Sequence, residues 1–217
     1  MSEKRYLVAL ATLVLPLMAC GETTVGLDEV EGLTPAFAVG GAALTQGTDI
    51  VPFGSGVITS GTATLTRNAD GLWLTGHSDD LVDGDAYTIW AAIFDNPMGC
   101  EGGPGACGLA DLGRTQAQAT ISNFGGFVVD ASKDFESHLT RHDGSRQTLG
   151  GAGRSGIDNT YRAEVHLIFR SHGVAETDPD DLADQTSMVG AFCNLPDVGC
   201  DDQGLAVFLP PGAPGQG

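Results

Sequence analysis

The chain has 217 residues, with 28 acidic and 10 basic side chains and a net charge of −18. Such an acidic surface repels nucleic acid and anionic lipid headgroups, so we expect neither to be bound through charge. The 32 glycines, together with short apolar runs between turn-forming residues, favour a β domain over a helical one.

The N-terminal segment has the architecture of an export signal. Lys4 and Arg5 precede an apolar run over residues 6–19, which is too short to span a membrane as a helix. The run ends Leu17-Met18-Ala19-Cys20, which resembles the lipobox of bacterial lipoproteins. The resemblance implies that residues 1–19 form a signal peptide, that Cys20 is acylated, as with palmitate, and that Cys20 becomes the N-terminus. The alternative is an ordinary secretory signal with an incidental cysteine.

The residue after Cys20 is Gly21 rather than aspartate. By the sorting pattern of such lipoproteins, this implies an outer-membrane lipoprotein that faces the periplasm or the exterior. Residues 20–35 are acidic and aperiodic, so we expect an acylated cysteine and a flexible tether. Residues 36–209 are expected to form one β domain, and residues 210–217, which read PPGAPGQG, a disordered tail.

Alternating apolar residues predict about nine strands in the domain. A hairpin is expected where residues 63–66 and 72–75 flank a loop over residues 67–71, and residues 87–94 are apolar on both faces, which predicts an interior strand. One short helix is expected from the N-cap Asp178 to about Gln185. Trp73 and Trp90 are predicted to be core aromatics. The other predicted strands cover residues 36–39, 119–122, 127–130, 137–141, 161–170, 188–192 and 205–209.

This pattern predicts an all-β fold, namely a single antiparallel β-sandwich or barrel with one short helix.

Four further cysteines form two equally spaced pairs, Cys100 with Cys107 and Cys193 with Cys200. In an exported protein, an even number of cysteines predicts two disulfide bonds. Three pairings are open, and the local one is favoured because each pair brackets a turn-rich loop. The rival is a four-thiolate metal site, although six intervening residues are unlike the usual spacing of zinc ligands.

The segment AEVHLIFRSHG, residues 163–173, concentrates polar side chains in an apolar run. On an extended strand, Glu164, His166, Arg170 and His172 share one face. The rise per residue places His166 and His172 about 20 Å apart, too far to bind one metal ion, but Glu164 and His166 only about 7 Å apart. The sequence therefore allows a Glu164–His166 half-site for a divalent metal, with His77 and Asp79 as candidate further ligands.

Other roles for this strand remain open. The structural interpretation is that Glu164 and Arg170 form cross-strand polar pairs and that His172 hydrogen-bonds the turn before Gly173. A catalytic role, or an anion site centred on the planar fork of Arg170, would use the same residue types.

The run from His77 to Tyr87 contains Asp79, Asp80, Asp83 and Asp85. Clustered carboxylates around a glycine can bind calcium, but the spacing is not that of an EF-hand loop. We favour a solvated acidic turn over a calcium site.

The combination of YTIW, FDNP and a following cysteine with AEVHLIFRSHG resembles a set of uncharacterised secreted bacterial β proteins. The resemblance covers residues 87–203. The set has no established activity, so it implies a β fold and no particular function. This sequence has Asp95 where the pattern of the set has asparagine.

The function expected from the sequence is a non-enzymatic binding or structural module of the cell envelope. It needs no cofactor, and its partner is an unknown ligand or envelope protein. The alternative is a metal-dependent enzyme that binds a divalent metal through Glu164, His166 and His77 and holds an anion with Arg170.

Overall fold

The computed structural model describes residues 42–141, 156–187 and 200–213. These residues form nine strands and one α-helix, whose bounds are β1 Leu44–Asp49, β2 Val51–Pro52, β3 Thr62–Arg67, β4 Gly71–His77, β5 Asp85–Phe94, β6 Ala119–Val128, β7 Asp134–Thr140, β8 Glu164–Val174, α1 Pro179–Thr186 and β9 Asp201–Phe208. The strands predicted over residues 36–39 and 188–192 lie outside the described residues.

The strands form two antiparallel sheets. One has four strands in the order β1-β3-β4-β7, and the other has five in the order β2-β9-β8-β5-β6. Both sheets are open rather than closed on themselves, so of the two predicted architectures the sandwich is confirmed.

The core lies between the sheets, where β3, β4, β5, β7, β8 and β9 bury apolar side chains. Tyr87, Ile89, Ala91 and Ile93 of β5 are buried there together with alternate residues of β8. The rings of Phe135 in β7 and Phe169 in β8 meet edge to face, with centroids 5.1 Å apart, and so connect the two sheets. Strand β5 is also buried on its outward side, which confirms the predicted interior strand.

The predicted hairpin is confirmed between β3 and β4, but its loop is shorter than expected. Arg67 was assigned to the loop, and this is wrong, because Arg67 pairs with Leu72 as the last residue of β3. Asn68 then closes the turn, with its Oδ1 accepting hydrogen bonds from the backbone N–H groups of Asp70 and Gly71.

Arg67 points inward and is fully buried. Its guanidinium has five N–H groups, and they donate to the side chain of Gln46 and to backbone carbonyls of Thr160, Ala163, Phe208 and Leu209. Burial lowers the pKa of Arg67 to about 9, so the group remains charged at neutral pH. Arg67 therefore ties both sheets to the segment before β8.

The two strands predicted over residues 119–122 and 127–130 form one continuous strand, β6. The intervening residues do not end the strand, because a bulge accommodates Asn123, Gly125 and Gly126. Opposite the β5 residues Ile89 and Trp90, the register of β6 steps from Gly125 to Asn123, and Gly125 takes a φ of 143°. This conformation favours glycine, which is why the strand continues.

Helix α1 begins as predicted. The Asp178 side chain accepts hydrogen bonds from the backbone N–H groups of Asp180 and Asp181, at 2.9 and 3.3 Å, and so caps the first turn. The helix lies on the outer side of the five-stranded sheet, where a Cβ at Gly126 would collide with the carbonyl oxygen of Thr186. Within the described part of the chain, no helix combines the length and apolarity required to span a membrane.

Candidate functional site

The polar residues of β8 lie on the outer face of the five-stranded sheet. Val165, Leu167 and Phe169 point into the core between the sheets, so the alternate residues Glu164, His166 and Arg170 point outward. The hydrogen-bond partners of each outward side chain determine whether it is free to bind a metal ion or a ligand.

Glu164 is fully buried, and both of its carboxylate oxygens have partners. Oε1 lies 2.8 Å from His166 Nε2, and Oε2 accepts a hydrogen bond of 2.6 Å from the backbone N–H of Gly105. Charge-assisted hydrogen bonds of this kind are the strong ones. Glu164 is thus hydrogen-bonded to His166 of its own strand, and it fastens the loop that contains Gly105 to β8.

That loop carries the first disulfide bond, which joins Cys100 and Cys107 and confirms the local pairing of these two residues. The bonded cysteines pack with Ala92 and Phe94 of β5, so the loop covers this end of the outer face. Cys200 is also disulfide-bonded, and Cys193 lies outside the described residues.

Arg170 is held between an acid and an aromatic ring. Its Nε donates a hydrogen bond of 2.6 Å to Asp202 in β9, and its guanidinium carbon lies 5.4 Å from the centre of the Trp90 ring. Both contacts fix the orientation of the guanidinium. The predicted lateral pairing of Arg170 is thus observed, with a residue of the neighbouring strand as its partner.

His172 lies in a chain of hydrogen bonds. Trp90 Nε1 donates to Thr88 Oγ1 at 3.1 Å, and Thr88 Oγ1 lies 2.8 Å from His172 Nε2. The other ring nitrogen, Nδ1, lies 3.2 Å from Cys200 Sγ. The disulfide-bonded Sγ of Cys200 carries no hydrogen and can only accept, which assigns the histidine proton to Nδ1 and leaves Nε2 to accept from the Thr88 hydroxyl.

The surroundings of His172 keep its ring neutral. Burial, aided by the nearby charge of Arg170, lowers the pKa of His172 to about 4. A neutral imidazole that is hydrogen-bonded through both nitrogens has no free lone pair for a metal ion. The side chain thus bonds Thr88 and Cys200, not the turn at Gly173.

The two histidines of β8 are not brought together. The strand continues past His172 and still pairs with β5 at Val174, so six residues of extended chain separate the rings by about 20 Å. Gly173 has a φ of 74° and lies in a bulge opposite β5, but this bulge does not reverse the strand.

His77 is not close to this face either. It is in β4 and points outward with Trp73 and Thr75, so it lies on the opposite side of the sandwich from His166. Its own partners are Asp134, whose Oδ1 is 2.9 Å from Nδ1, and Asp79, whose Oδ1 is 3.5 Å from Nε2. Within the described ranges, no group of three or more His, Cys, Asp or Glu side chains is arranged to hold a metal ion.

The acidic run before β5 behaves as a turn. Asp80 Oδ2 accepts hydrogen bonds from the backbone N–H groups and hydroxyls of Thr59 and Ser60. The hydrogen bonds from Thr59 and Ser60 lower the pKa of the Asp80 carboxyl. Asp80 thus fastens the loop before β3 to the turn after β4.

One aromatic residue lies where the sequence did not place it. Trp90 is buried, with 8% of its surface exposed, but Trp73 is 37% exposed, so its prediction as a core aromatic is wrong. Leu72 and Leu74 on either side of Trp73 are buried. Because side chains alternate between the two faces of a strand, the apolar Leu72 and Leu74 indicate from the sequence that Trp73 points outward.

Two grooves open elsewhere on the described surface. One, of about 480 Å³, adjoins His77. The other, of about 820 Å³, lies beyond the end of β5, around Pro97, Met98, Arg162 and Pro211. Neither groove is lined by Glu164, His166, Arg170 or His172.

Comparison with known proteins found no matching protein family, curated protein or solved structure.

Proposed function

We propose that the protein is an outer-membrane lipoprotein whose acidic β-sandwich serves as a non-catalytic binding or structural module of the cell envelope. One observation carries the non-catalytic part. The reactive side chains of β8 are engaged by the protein's own groups: Glu164 by Gly105 and His166, Arg170 by Asp202, and His172 by Thr88 and Cys200.

This pairing favours a scaffold over the metal-dependent alternative. A catalytic metal site needs several converging ligands and an open coordination position. Here both Glu164 oxygens and His166 Nε2 are occupied, and His77 lies on the other side of the sandwich.

The acidic charge means that the proposed membrane location depends on the lipid anchor. With a calculated pI of about 4.2, the chain is repelled by anionic headgroups, so charge attraction cannot hold it at a membrane. Acyl chains on Cys20 would supply the missing affinity, at about 0.8 kcal/mol per buried methylene.

The anchor is tested by expressing the protein and its Cys20→Ser variant in a bacterium that has an outer membrane. We expect the unaltered protein in the outer-membrane fraction, with an acylated Cys20 found by mass spectrometry, and the variant outside that fraction. Met18→Leu, which keeps the aliphatic, small and cysteine positions, should behave like the unaltered protein. Identical fractionation of the Cys20→Ser variant and the unaltered protein would refute the anchor.

The non-catalytic role is tested by metal analysis of the protein, purified without chelators or affinity histidines, beside His166→Ala. We expect the two proteins to contain the same, substoichiometric amount of metal. Near-stoichiometric metal that disappears in His166→Ala would overturn the scaffold interpretation and favour the metal-dependent enzyme.

A further inference from the structure

The outer face of the four-stranded sheet differs from the face just described. It consists of every second residue of 45–49, 62–66, 73–77 and 134–140, and we call it the open face. Most of these side chains are exposed and the rest are partly exposed. Helix α1 contacts strands of the other sheet, β5 and β6.

Trp73 lies on this face between β3 and β7, at the end opposite His77. Strand pairing places Thr66 on one side of Trp73 and His138 on the other. In the next row along the strands, Thr75 stands between Thr64 and Glu136. An exposed indole ring beside rows of hydroxyls offers both an apolar platform and hydrogen-bonding groups.

A groove ends the open face. Its volume is about 480 Å³, and its lining includes Asp49, Ser60, Thr62, His77 and Asp79. Trp73 and His77 are four residues apart on one strand, which corresponds to about 13 Å. A ligand that contacts both the indole ring and the groove must therefore be an extended molecule of several units.

The negative charge of the open face favours a positively charged ligand. Asp49, Asp134 and Glu136 contribute carboxylates, and none of the residues of this face is lysine or arginine. Asp134 is paired with His77, whereas Asp49 and Glu136 form no ion pair with a described residue. The face of a tryptophan ring also attracts ammonium groups. Anionic ligands are repelled, and cationic ones are attracted.

We infer that the open face binds an oligosaccharide of amino sugars that carry protonated amines. The hydroxyl rows and the indole platform match the polar edges and apolar faces of sugar rings, and the carboxylates match the ammonium groups. A cationic peptide is the weaker fit, because extended peptides add to the edge of a sheet rather than to its face. This ligand class rests on the proposed role as an anchored binding module.

The test is calorimetric titration of the full-length protein with a hexamer of glucosamine. Two ligands serve as matched controls, each called a match below. An N-acetylglucosamine hexamer has the sugar rings without the positive charge, and a lysine hexapeptide has the positive charge without the sugar rings. We expect the glucosamine hexamer to bind at least about tenfold more tightly than either match, since each removes one of the two recognition elements.

Variants locate the site. Trp73→Ala is expected to weaken binding of the glucosamine hexamer about tenfold or more, as loss of an aromatic contact does. Glu136→Gln should weaken it about threefold, as loss of one exposed charge. Glu101→Gln removes an exposed carboxylate beside the Cys100–Cys107 disulfide and should leave binding unchanged. Trp73→Phe, which keeps an aromatic ring, guards against a folding defect and should bind more tightly than Trp73→Ala.

The inference is overturned if the glucosamine hexamer does not bind, if either match binds as tightly, or if Trp73→Ala binds as well as the unaltered protein. Each of these results would leave an acylated Cys20 and the anchored-module function intact. Conversely, loss of the lipid anchor in the fractionation experiment would leave binding at Trp73 unaffected, so the two failures are distinguishable.

Discussion

The two outer faces of the sandwich use polar residues in opposite ways. On the five-stranded sheet, Glu164 and His172 are buried, and the Cys100–Cys107 loop and α1 cover parts of the face. On the four-stranded sheet, threonines, carboxylates and Trp73 remain accessible to solvent. The polar groups on the five-stranded sheet are hydrogen-bonded within the protein. Those on the four-stranded sheet face the solvent.

This difference shows that titratable residues close together in the sequence can be hydrogen-bonded within the fold instead of facing solvent. Glu164 and His166 look like metal ligands along the chain, but a residue far away in sequence, Gly105, uses one carboxylate oxygen. Threonines do not suggest a metal or catalytic site. On the open face, however, several threonine hydroxyls lie beside Trp73 and can form hydrogen bonds with a ligand.

The largest difference between the faces is expected from paired glutamate substitutions. Glu164→Ala removes a fully buried carboxylate and leaves the N–H of Gly105 and the ring of His166 without this acceptor, and we expect it to lower the free energy of unfolding by about 4 kcal/mol. Glu136→Ala on the open face should change it by less than about 0.5 kcal/mol. Urea unfolding measures both, and equal effects would contradict the comparison.

The next effect is a loss of stability in acid that depends on His172. Its folded-state pKa of about 4 lies below the ordinary value of 6.5, so the unfolded chain binds the proton more readily. Stability from the neutral ring is complete above pH 6.5 and is lost as the pH falls towards 4, by about 3 kcal/mol in all.

The difference in unfolding free energy between the unaltered protein and His172→Gln should therefore shrink as the pH falls through this window. His138→Gln, which alters an exposed histidine of the open face, is the control and should show no such trend. A parallel trend in both variants would mean that the covered face does not hold His172 neutral.

Removal of the Cys100–Cys107 disulfide ranks third. Serine at both positions should lower the free energy of unfolding by roughly 2.5 kcal/mol, by the loop-entropy argument for a short ring. Because the loop covers β5 and binds Glu164, the double variant should also weaken the effect of Glu164→Ala. Additive effects of the two changes would show that the loop and Glu164 act independently.

The smallest difference between the faces is expected from the two tryptophans. Trp73→Ala should lower the free energy of unfolding by about 1 kcal/mol, since only cross-strand contacts on an exposed face are lost. Trp90→Ala should cost at least about 3 kcal/mol, as buried aromatic truncations do. Comparable unfolding midpoints for the two variants would contradict the assignment of one tryptophan to each environment.

Much of the fold follows from local patterns. The apolar run of β5, the alternation of β8 and the cap at Asp178 each rest on neighbours within a few residues, and all three are observed. Strand β1, with the sequence LTQGTD, has almost no apolar residues and was not predicted, because its position depends on pairing with β3.

Two residues were misplaced although their signal was available. Alternation of Ala63, Leu65 and Arg67 along β3 places Arg67 inward, although the predicted loop included it. Alternation along β4 places Trp73 outward, although it was predicted as a core aromatic. The structure follows the alternation in both cases, because strand pairing fixes the orientation of every residue of a strand at once.

The partners of the polar face could not be predicted. Glu164 contacts Gly105 of a loop, Arg170 contacts Asp202 of the neighbouring strand β9, and His172 contacts Cys200 just before β9. Each contact depends on which distant segment lies beside β8, which local sequence patterns do not give. Sequence spacing did exclude a shared metal between His166 and His172, because the rise of a strand is the same in every fold.

The two tryptophans of the chain allow the most direct test, since each reports on one face. Trp73→Phe leaves only Trp90, and Trp90→Phe leaves only Trp73. Acrylamide quenching of their fluorescence should be weak for Trp90, with emission shifted to the blue, and strong for Trp73, with emission near that of a solvated indole. If acrylamide quenched Trp90 as readily as Trp73, the distinction between a covered and an open face would be wrong.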